Sequence, residues 1–269
     1  EVVQNACQST SCPVESDACC VDTWHPLPIT AISGPTFEMT PLSAPHISYT
    51  GRQTDIAALF DVDNTLLPGQ ASEVRFFRFL WKRGLVGWRE VRDSIQWVLR
   101  CAPPVSLHPL RERKLYLAGK GAAEVEALAE EFCRTELCPR LSAQGLSRMD
   151  EHRRAGHHIV LVTGSLDFLI APLAALLEVP TLLAARLEQQ ERQFTGHVCA
   201  PLPYGPGKRE LIARLTRDSG IDLTQSFAYG DSPGDVELLE MVGHPLVVNP
   251  IRGMDRIAQR NGWPITTWT

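Results

Sequence analysis

Along this chain, short apolar runs end on acidic or hydroxyl residues, and stretches of helical period separate them. The run IAALF, residues 56–60, reads as a short buried strand that stops at Asp61. From about 70 to 150 the apolar spacing changes to three and four. The spacing predicts a helix over 71–83, with Val74, Phe77 and Trp81 on one side and Arg75, Arg78 and Lys82 on another. A second helix is expected over 87–100, with Trp88, Val91, Ile95 and Val98 on one stripe. After Pro103 and Pro104 two more are expected, over 109–118 and 122–136, and another ahead of His157.

The strand signal then returns. HHIVLVTGS reads as a buried strand with a glycine turn, followed by a helix over 167–177. TLLAARLE and the region of QFTGHV read as strands, the latter open to a hairpin. A helix opens near Gly207 and Lys208. SFAYGD is another short strand ending on an aspartate, a helix starts near Asp235, HPLVVN is a strand, and a last helix runs through Arg256. This alternation predicts an α/β fold, a parallel sheet with helices on both faces. The helical block after the first strand would be an inserted cap. The expected organisation is an extension over 1–53, a core formed by 54–70 with 151–269, and a cap over 71–150.

The extension departs from the rest in composition. It is rich in Cys, Ser, Thr and Pro and shows no strand or helix period, so it is expected to be poorly ordered. Cys7, Cys12, Cys19 and Cys20 crowd its first twenty residues without the CxxC pairs of common zinc sites. A flexible tail with ordinary thiols, a soft-metal site and a disulfide knot all stay open for it. The other four cysteines are scattered, which fits small apolar residues in a reducing compartment and hence a cytoplasmic protein. A net charge of −5 argues against a nucleic-acid binder. No run of about 18 to 20 apolar residues exists, so no transmembrane helix is expected. The first residue is Glu, consistent with a fragment or processed product, and no signal peptide is legible. The sequence is silent on oligomeric state.

Four polar features fall where strands end or helices start. They are Asp61 with Asp63, then Thr163-Gly164-Ser165, then Lys208, then Asp231 with Asp235 in YGDSPGD. In open α/β sheets, ligands bind beyond the carboxyl ends of the strands, so these features should meet in one crevice. Carboxylates for a magnesium ion, a hydroxyl and a lysine for phosphoryl oxygens, and a carboxylate nucleophile together suit phosphoryl transfer.

The order DVDNTL, VTGS, GK, GDSPGD resembles the four motifs of the haloacid-dehalogenase superfamily of phosphohydrolases. The phrases AYGDSPGDVELLEMVGHPLVVNP and NGWPI are similar to its subfamily IB, and the helical insertion resembles the C1-type cap of phosphoserine-phosphatase-like members. The resemblance covers residues from about 55 to the end. It implies a Rossmann-like three-layer core, Mg²⁺ as cofactor, and hydrolysis of a small phosphate monoester through an aspartyl-phosphate. By similarity Asp61 would be the nucleophile and Asp63 the acid and base. Asp61, Asp63 (through its carbonyl), Asp231 and Asp235 would serve the metal, the last orienting Lys208 or a metal-bound water. Thr163, with the backbone around Gly164 and Ser165, would hold phosphoryl oxygens, and Lys208 would neutralise the transferring group. Superfamily members that store a phosphoenzyme carry Thr two residues after the nucleophile; here that residue is Asp63, which implies hydrolysis.

Two cap features bear on the substrate. In LRERKLYL, Arg113 matches the arginine that grips the substrate carboxylate in phosphoserine phosphatases. On a helix Arg111 and Arg113 would face different ways, so one at most should reach the pocket. Gln70 stands where those enzymes carry a glutamate for the substrate ammonium, with Glu73 one turn later. The helix VRFFRFLWKR, with aromatic and basic residues side by side, suits either cap core or peripheral contact with a membrane, and with it a lipid or lysolipid phosphate. A third alternative gives the function to the Cys-rich extension as a metal or redox module. His157 and His158 are expected in a surface loop.

Overall fold

Alternate side chains of the first strand, β1 (Ala57–Phe60), enter two different hydrophobic clusters. Ala58 and Phe60 point into one, Ala57 and Leu59 into the other. This period of two is what a strand buried on both faces imposes. The computed structural model describes residues 55–101 and 109–269. The expected extension, with Cys7, Cys12, Cys19 and Cys20, lies outside them.

In chain order, β1 is followed by α1 (Ser72–Lys82), α2 (Trp88–Cys101), α3 (Pro109–Glu112), α4 (Ala122–Phe132) and α5 (Ala143–Arg154). Then come β2 (His158–Leu166), α6 (Asp167–Leu176), β3 (Thr181–Ala185), β4 (Leu187–Gln190), β5 (Gln193–Val198) and α7 (Pro206–Ser219). The chain closes with β6 (Phe227–Gly230), α8 (Val236–Glu240), β7 (His244–Val248), α9 (Met254–Asn261) and β8 (Ile265–Thr266). Among the described residues the sheet has six strands in the order β3-β2-β1-β6-β7-β8, and every pairing is parallel.

One face buries Phe60, Leu161 and Tyr229 against Met149 of α5 and Leu169, Ile170 and Leu173 of α6. The other buries Leu59, Val160 and Ala228 against Leu211 and Ile212 of α7, Leu239 of α8 and Met254 of α9. The result is the three-layer α/β core that the alternation predicts. Because the chain winds from β1 to β2 and β3 on one side and returns to β6 on the other, the order reverses between β1 and β6. That reversal leaves a crevice at the carboxyl ends of these strands.

The helical stretch between β1 and β2 differs from expectation in several places. In α1 the core takes Phe76 and Leu80, while Val74 is exposed and Phe77 and Trp81 are only half-buried. The buried stripe is therefore not the one expected from Val74, Phe77 and Trp81. Two residues of the expected α2 stripe, Trp88 and Ile95, are exposed rather than core. The helix expected over 109–118 ends at Glu112. Arg113 instead pairs with His197, and the Lys114 N–H donates to the Gly196 carbonyl at 2.7 Å, drawing the segment onto the β4–β5 hairpin. That hairpin turns through Glu191 and Arg192, both with positive φ. α5 packs on β2, so the expected boundary at 150 falls inside a helix of the sheet layer.

His158 opens β2 rather than a loop. His157 is half-buried, its Nδ1 2.8 Å from Nδ1 of the buried His152, whose Nε2 lies 2.6 Å from the Tyr229 hydroxyl. Strand β8, beyond the expected last helix, completes the sheet edge. No described helix is long and apolar enough to cross a membrane.

Candidate active site

Asp61 leaves β1 as its last inward step. Its N–H donates to the Tyr229 carbonyl at 2.9 Å, so the backbone is still in register with β6 when the carboxylate reaches the crevice. Lys208, in the first turn of α7, is 2% exposed, which rules out a solvated helix-start lysine. Its Nζ donates to Asp61 Oδ1 at 2.8 Å, to the Val162 carbonyl at 3.1 Å, and to Asp235 Oδ1 in a tighter contact. The approach of α7 depends on glycine. A Cβ on Gly207 would sit 1.7 Å from the Leu202 carbonyl oxygen.

Asp235 is both a helix-start residue and the partner of Lys208. Its Oδ2 accepts from the N–H groups of Asp231 (3.2 Å) and Ser232 (3.1 Å) and from the Ser232 hydroxyl (3.0 Å). Asp231 follows β6, and its Oδ2 accepts from the Asn64 amide at 2.9 Å. Asn64, at φ 59°, also donates to the Asn249 carbonyl, and Asn249, at φ 47°, returns a bond to the Asn64 carbonyl at 2.8 Å. Asparagine tolerates this left-handed backbone better than most residues. Neither asparagine stood out in the sequence, because 185 residues separate them.

The Asp63 carboxylate turns away from the other three. It accepts from the Ser72 N–H at 2.6 Å, the Ser72 hydroxyl at 3.1 Å and the Ser165 hydroxyl at 2.6 Å. The Ser165 N–H in turn donates to Thr163 Oγ1 at 3.1 Å. Ser72, at the start of α1, is a contact that sequence reasoning missed. Its only signal was a helix-start serine in PGQASE.

Burial and crowding of like charge set the electrostatics. Desolvation holds Asp61 well above the usual carboxylate range, against the pull of Lys208, and the neighbouring Asp235 and Asp231 add to the rise. Desolvation and Asp235 push Asp231 up to about 7. Burial alone would lower Lys208, but Asp235 and Asp61 outweigh it and hold the ammonium above its ordinary value. Burial would raise Asp235; Lys208 and the Ser232 bonds keep it below the ordinary value.

Asp61, Asp231 and Asp235 each bring a carboxylate oxygen within 4.8 Å of the others. An all-oxygen, buried donor set suits a hard divalent cation such as Mg²⁺. Among the described residues, no N–H or O–H group donates to Asp61 Oδ2 or Asp231 Oδ1. The donors therefore fit Mg²⁺, with Asp61 and Asp231 the available side chains. Both oxygens of Asp235 are engaged by Lys208 and by the Asp231 and Ser232 donors, as the expected role of orienting Lys208 requires, and serines hold the Asp63 carboxylate, for which the expected ligand atom is the backbone carbonyl.

One cavity of about 900 Å³ collects Asp61, Asp63, Thr163, Gly164, Ser165, Lys208, Asp231 and Asp235. Arg113 lines it too, and so does Arg111, against the expectation that one at most would reach. That expectation presupposed a helix through both, and the helix ends between them. Glu73 lies in the wall, but its carboxylate is held by Lys114 Nζ at 2.7 Å and the Tyr116 hydroxyl at 3.2 Å. Gln70 accepts from Arg78 at 2.7 Å and does not line the cavity.

The chain is similar to known proteins. A family model described as haloacid dehalogenase-like hydrolase matches residues 58–240. A probable phosphatase of Mycobacterium tuberculosis is 29% identical over 90% of this chain and 84% of its own length. A phosphoserine phosphatase of the same organism is 30% identical over 78% of this chain and 70% of its own. A solved structure of a protein of unknown function from Bordetella pertussis superposes with a TM-score of 0.68. It is 31% identical and matches over 78% of this chain and 96% of that one.

Proposed function

The chain belongs to the haloacid dehalogenase-like hydrolases and is a phosphoric monoester hydrolase; on that premise we propose that it works with Mg²⁺ and through an aspartyl-phosphate on Asp61. The observation that carries this reading is the buried Asp61 carboxylate at the end of β1. It faces Lys208 on one side and Asp231 on the other, inside a cavity that also holds Thr163 and Asp63.

Asp61 Oδ2 attacks phosphorus while the bond to the ester oxygen breaks, and the departing alkoxide takes a proton from Asp63. Asp63, now a carboxylate, accepts a proton from water as that water attacks phosphorus. The Asp61–phosphorus bond breaks, and inorganic phosphate and the free enzyme result. Lys208 neutralises charge on Asp61 and the transferring group, and Asp235 holds Lys208 in place. Thr163 Oγ1 and the backbone from Gly164 to Ser165 receive phosphoryl oxygens. Mg²⁺, held by Asp61, Asp231 and the carbonyl of Asp63, would offset the like charges of carboxylates and phosphate. Ser72 and Ser165 orient the Asp63 carboxylate.

The name of the mycobacterial relative makes phosphoserine the first small metabolite to test. The geometry lends that substrate little support. Among the described residues, Glu73 is committed to Lys114 and Tyr116 and Gln70 to Arg78, so neither is free to meet an ammonium.

The test uses a generic aryl phosphate. Asp61→Asn should abolish turnover with the fold intact by circular dichroism. EDTA should silence the wild type and Mg²⁺ restore it. Turnover by Asp61→Asn near the wild-type rate would remove the nucleophile assignment, and a metal-independent rate would remove the carboxylate–metal reading.

A further inference from the structure

We infer that the alcohol half of the natural substrate is a single long apolar chain, so that the enzyme hydrolyses an amphiphilic phosphate monoester. The inference rests on the phosphatase reading of the same site and deepens it. A cavity of about 900 Å³ is at the upper end of the roughly 300–1,000 Å³ typical of sites for drug-sized ligands. The catalytic carboxylates, Thr163 and Lys208 form one end of it. Two helices supply an apolar wall: Val74 and Phe77 from α1, and Val91, Ile95 and Leu99 from α2.

The spacings are three along α1 and four along α2, so each set makes a continuous strip on its helix. Phe77 and Val91 are half-buried, and Val74, Ile95 and Leu99 are left exposed by the core. Ile95 is 54% and Leu99 75% exposed, although both line the cavity. Exposed apolar strips that run into a polar reaction centre are matched by a ligand with one phosphate and one apolar chain.

The polar part of the wall points the same way. Among the described residues, the side chains of Arg111 and Arg113 make no ion pair with a carboxylate; one guanidinium lies 3.4 Å from the Tyr204 ring centroid and the other 5.4 Å from that of Trp97. Glu73 is neutralised by Lys114. Away from the catalytic aspartates, the described side chains of the wall thus offer cations and aromatic faces, and the carboxylate among them, Glu73, is already paired, which favours a substrate without an ammonium group. A phosphate joined to an alkyl chain, directly or through glycerol, has that chemistry.

The experiment measures kcat/KM for butyl, hexyl, octyl and decyl phosphate below their micelle concentrations, with the full chain and Mg²⁺. Phosphoserine, lysophosphatidate and p-nitrophenyl phosphate run alongside. Burying a methylene should raise kcat/KM up to about fourfold per carbon until the wall is filled. Lysophosphatidate exceeding the alkyl phosphate of equal chain length would identify glycerol as the linker; equality would identify the chain alone as the recognised part. The double variant Ile95→Asp, Leu99→Asp, with its folding checked by circular dichroism, should flatten the chain-length dependence at least tenfold between butyl and decyl.

If p-nitrophenyl phosphate is hydrolysed but the alkyl series is flat, or phosphoserine exceeds decyl phosphate, the substrate inference falls and the phosphatase reading stands. A slope that survives the double variant removes α2 as the chain's seat and overturns the inference as well. If no ester is hydrolysed with Mg²⁺, the phosphatase reading itself fails.

Discussion

Replacing Lys208 with methionine keeps most of the buried volume and removes one positive charge. In the wild type that charge touches Asp61, Asp235 and the Val162 carbonyl, and the side chain is 2% exposed. The variant leaves two buried carboxylates facing each other with no cation. Removing one member of a buried ion pair typically costs about 3–5 kcal/mol. The folded variant has one escape, which is to protonate a carboxylate. At pH 7, protonating an aspartate of ordinary pKa 3.8 costs about 4 kcal/mol, at about 1.36 kcal/mol per pH unit, and at pH 5 about 1.6 kcal/mol. The destabilisation should therefore approach about 4 kcal/mol at pH 7 and shrink to about 2 kcal/mol at pH 5. The sign follows from linkage. Burial already raises the folded carboxylate in the wild type, and without Lys208 it rises further, so the folded variant binds more protons than the folded wild type and its deficit shrinks as pH falls. Urea denaturation of both proteins in EDTA at pH 5, 6, 7 and 8 reads this directly. With Mg²⁺, kcat/KM for an aryl phosphate should fall about 100- to 1,000-fold. A stability loss below about 1 kcal/mol at pH 7, or one that does not change with pH, would refute the buried-charge account.

Other perturbations separate the roles of neighbouring groups. Asp63→Asn should lower steady-state turnover of p-nitrophenyl phosphate by at least about a hundredfold, because water loses its base. Nitrophenolate leaves without an acid, so a stoichiometric burst should remain; a variant with no burst would speak against Asp63 acting on the second step. Asn64→Gly accepts the positive φ but loses the amide contacts to Asp231 and Asn249. It should raise the Mg²⁺ concentration for half-maximal activity about tenfold, and an unchanged titration would show that Asn64 does not position Asp231. His152 is held neutral, its pKa lowered from 6.5 to about 4 chiefly by burial. The unfolded chain takes up that proton first, so this contribution is present above about pH 6.5 and is lost as pH falls towards 4. The stability of His152→Phe relative to wild type should thus improve over that window in urea titrations, and a constant difference would contradict it.

Much of the core was legible because its strands are continuous apolar runs that stop abruptly on Asp61, Thr163 and Asp231. Those stops coincide with the sheet's carboxyl edge, and the order of the runs places them together. What escaped was set by distant contacts. Arg113 leaves the helix because its backbone pairs with His197, 84 positions on, and no local pattern announces that. The aromatic side of α1 left cap core and membrane contact both open; Phe76 and Leu80 fill the core, and Phe77, half-buried against it, also lines the cavity. Periodicity finds an apolar stripe but cannot say whether a neighbouring helix or a ligand covers it. Asn64, Asn249 and Ser72 were passed over for a similar reason: each is an ordinary turn or helix-start residue until the fold brings its partner within reach.

The central claim is a covalent phosphoryl group on Asp61. Wild type and Asp63→Asn should be mixed with p-nitrophenyl phosphate and Mg²⁺, quenched in acid within milliseconds, digested and mapped by mass spectrometry. The account predicts one phosphoryl group on the peptide containing AALFDVDNTLL, at Asp61, with greater occupancy in Asp63→Asn. Steady turnover with that peptide unmodified, or the phosphoryl group on another residue, would contradict it.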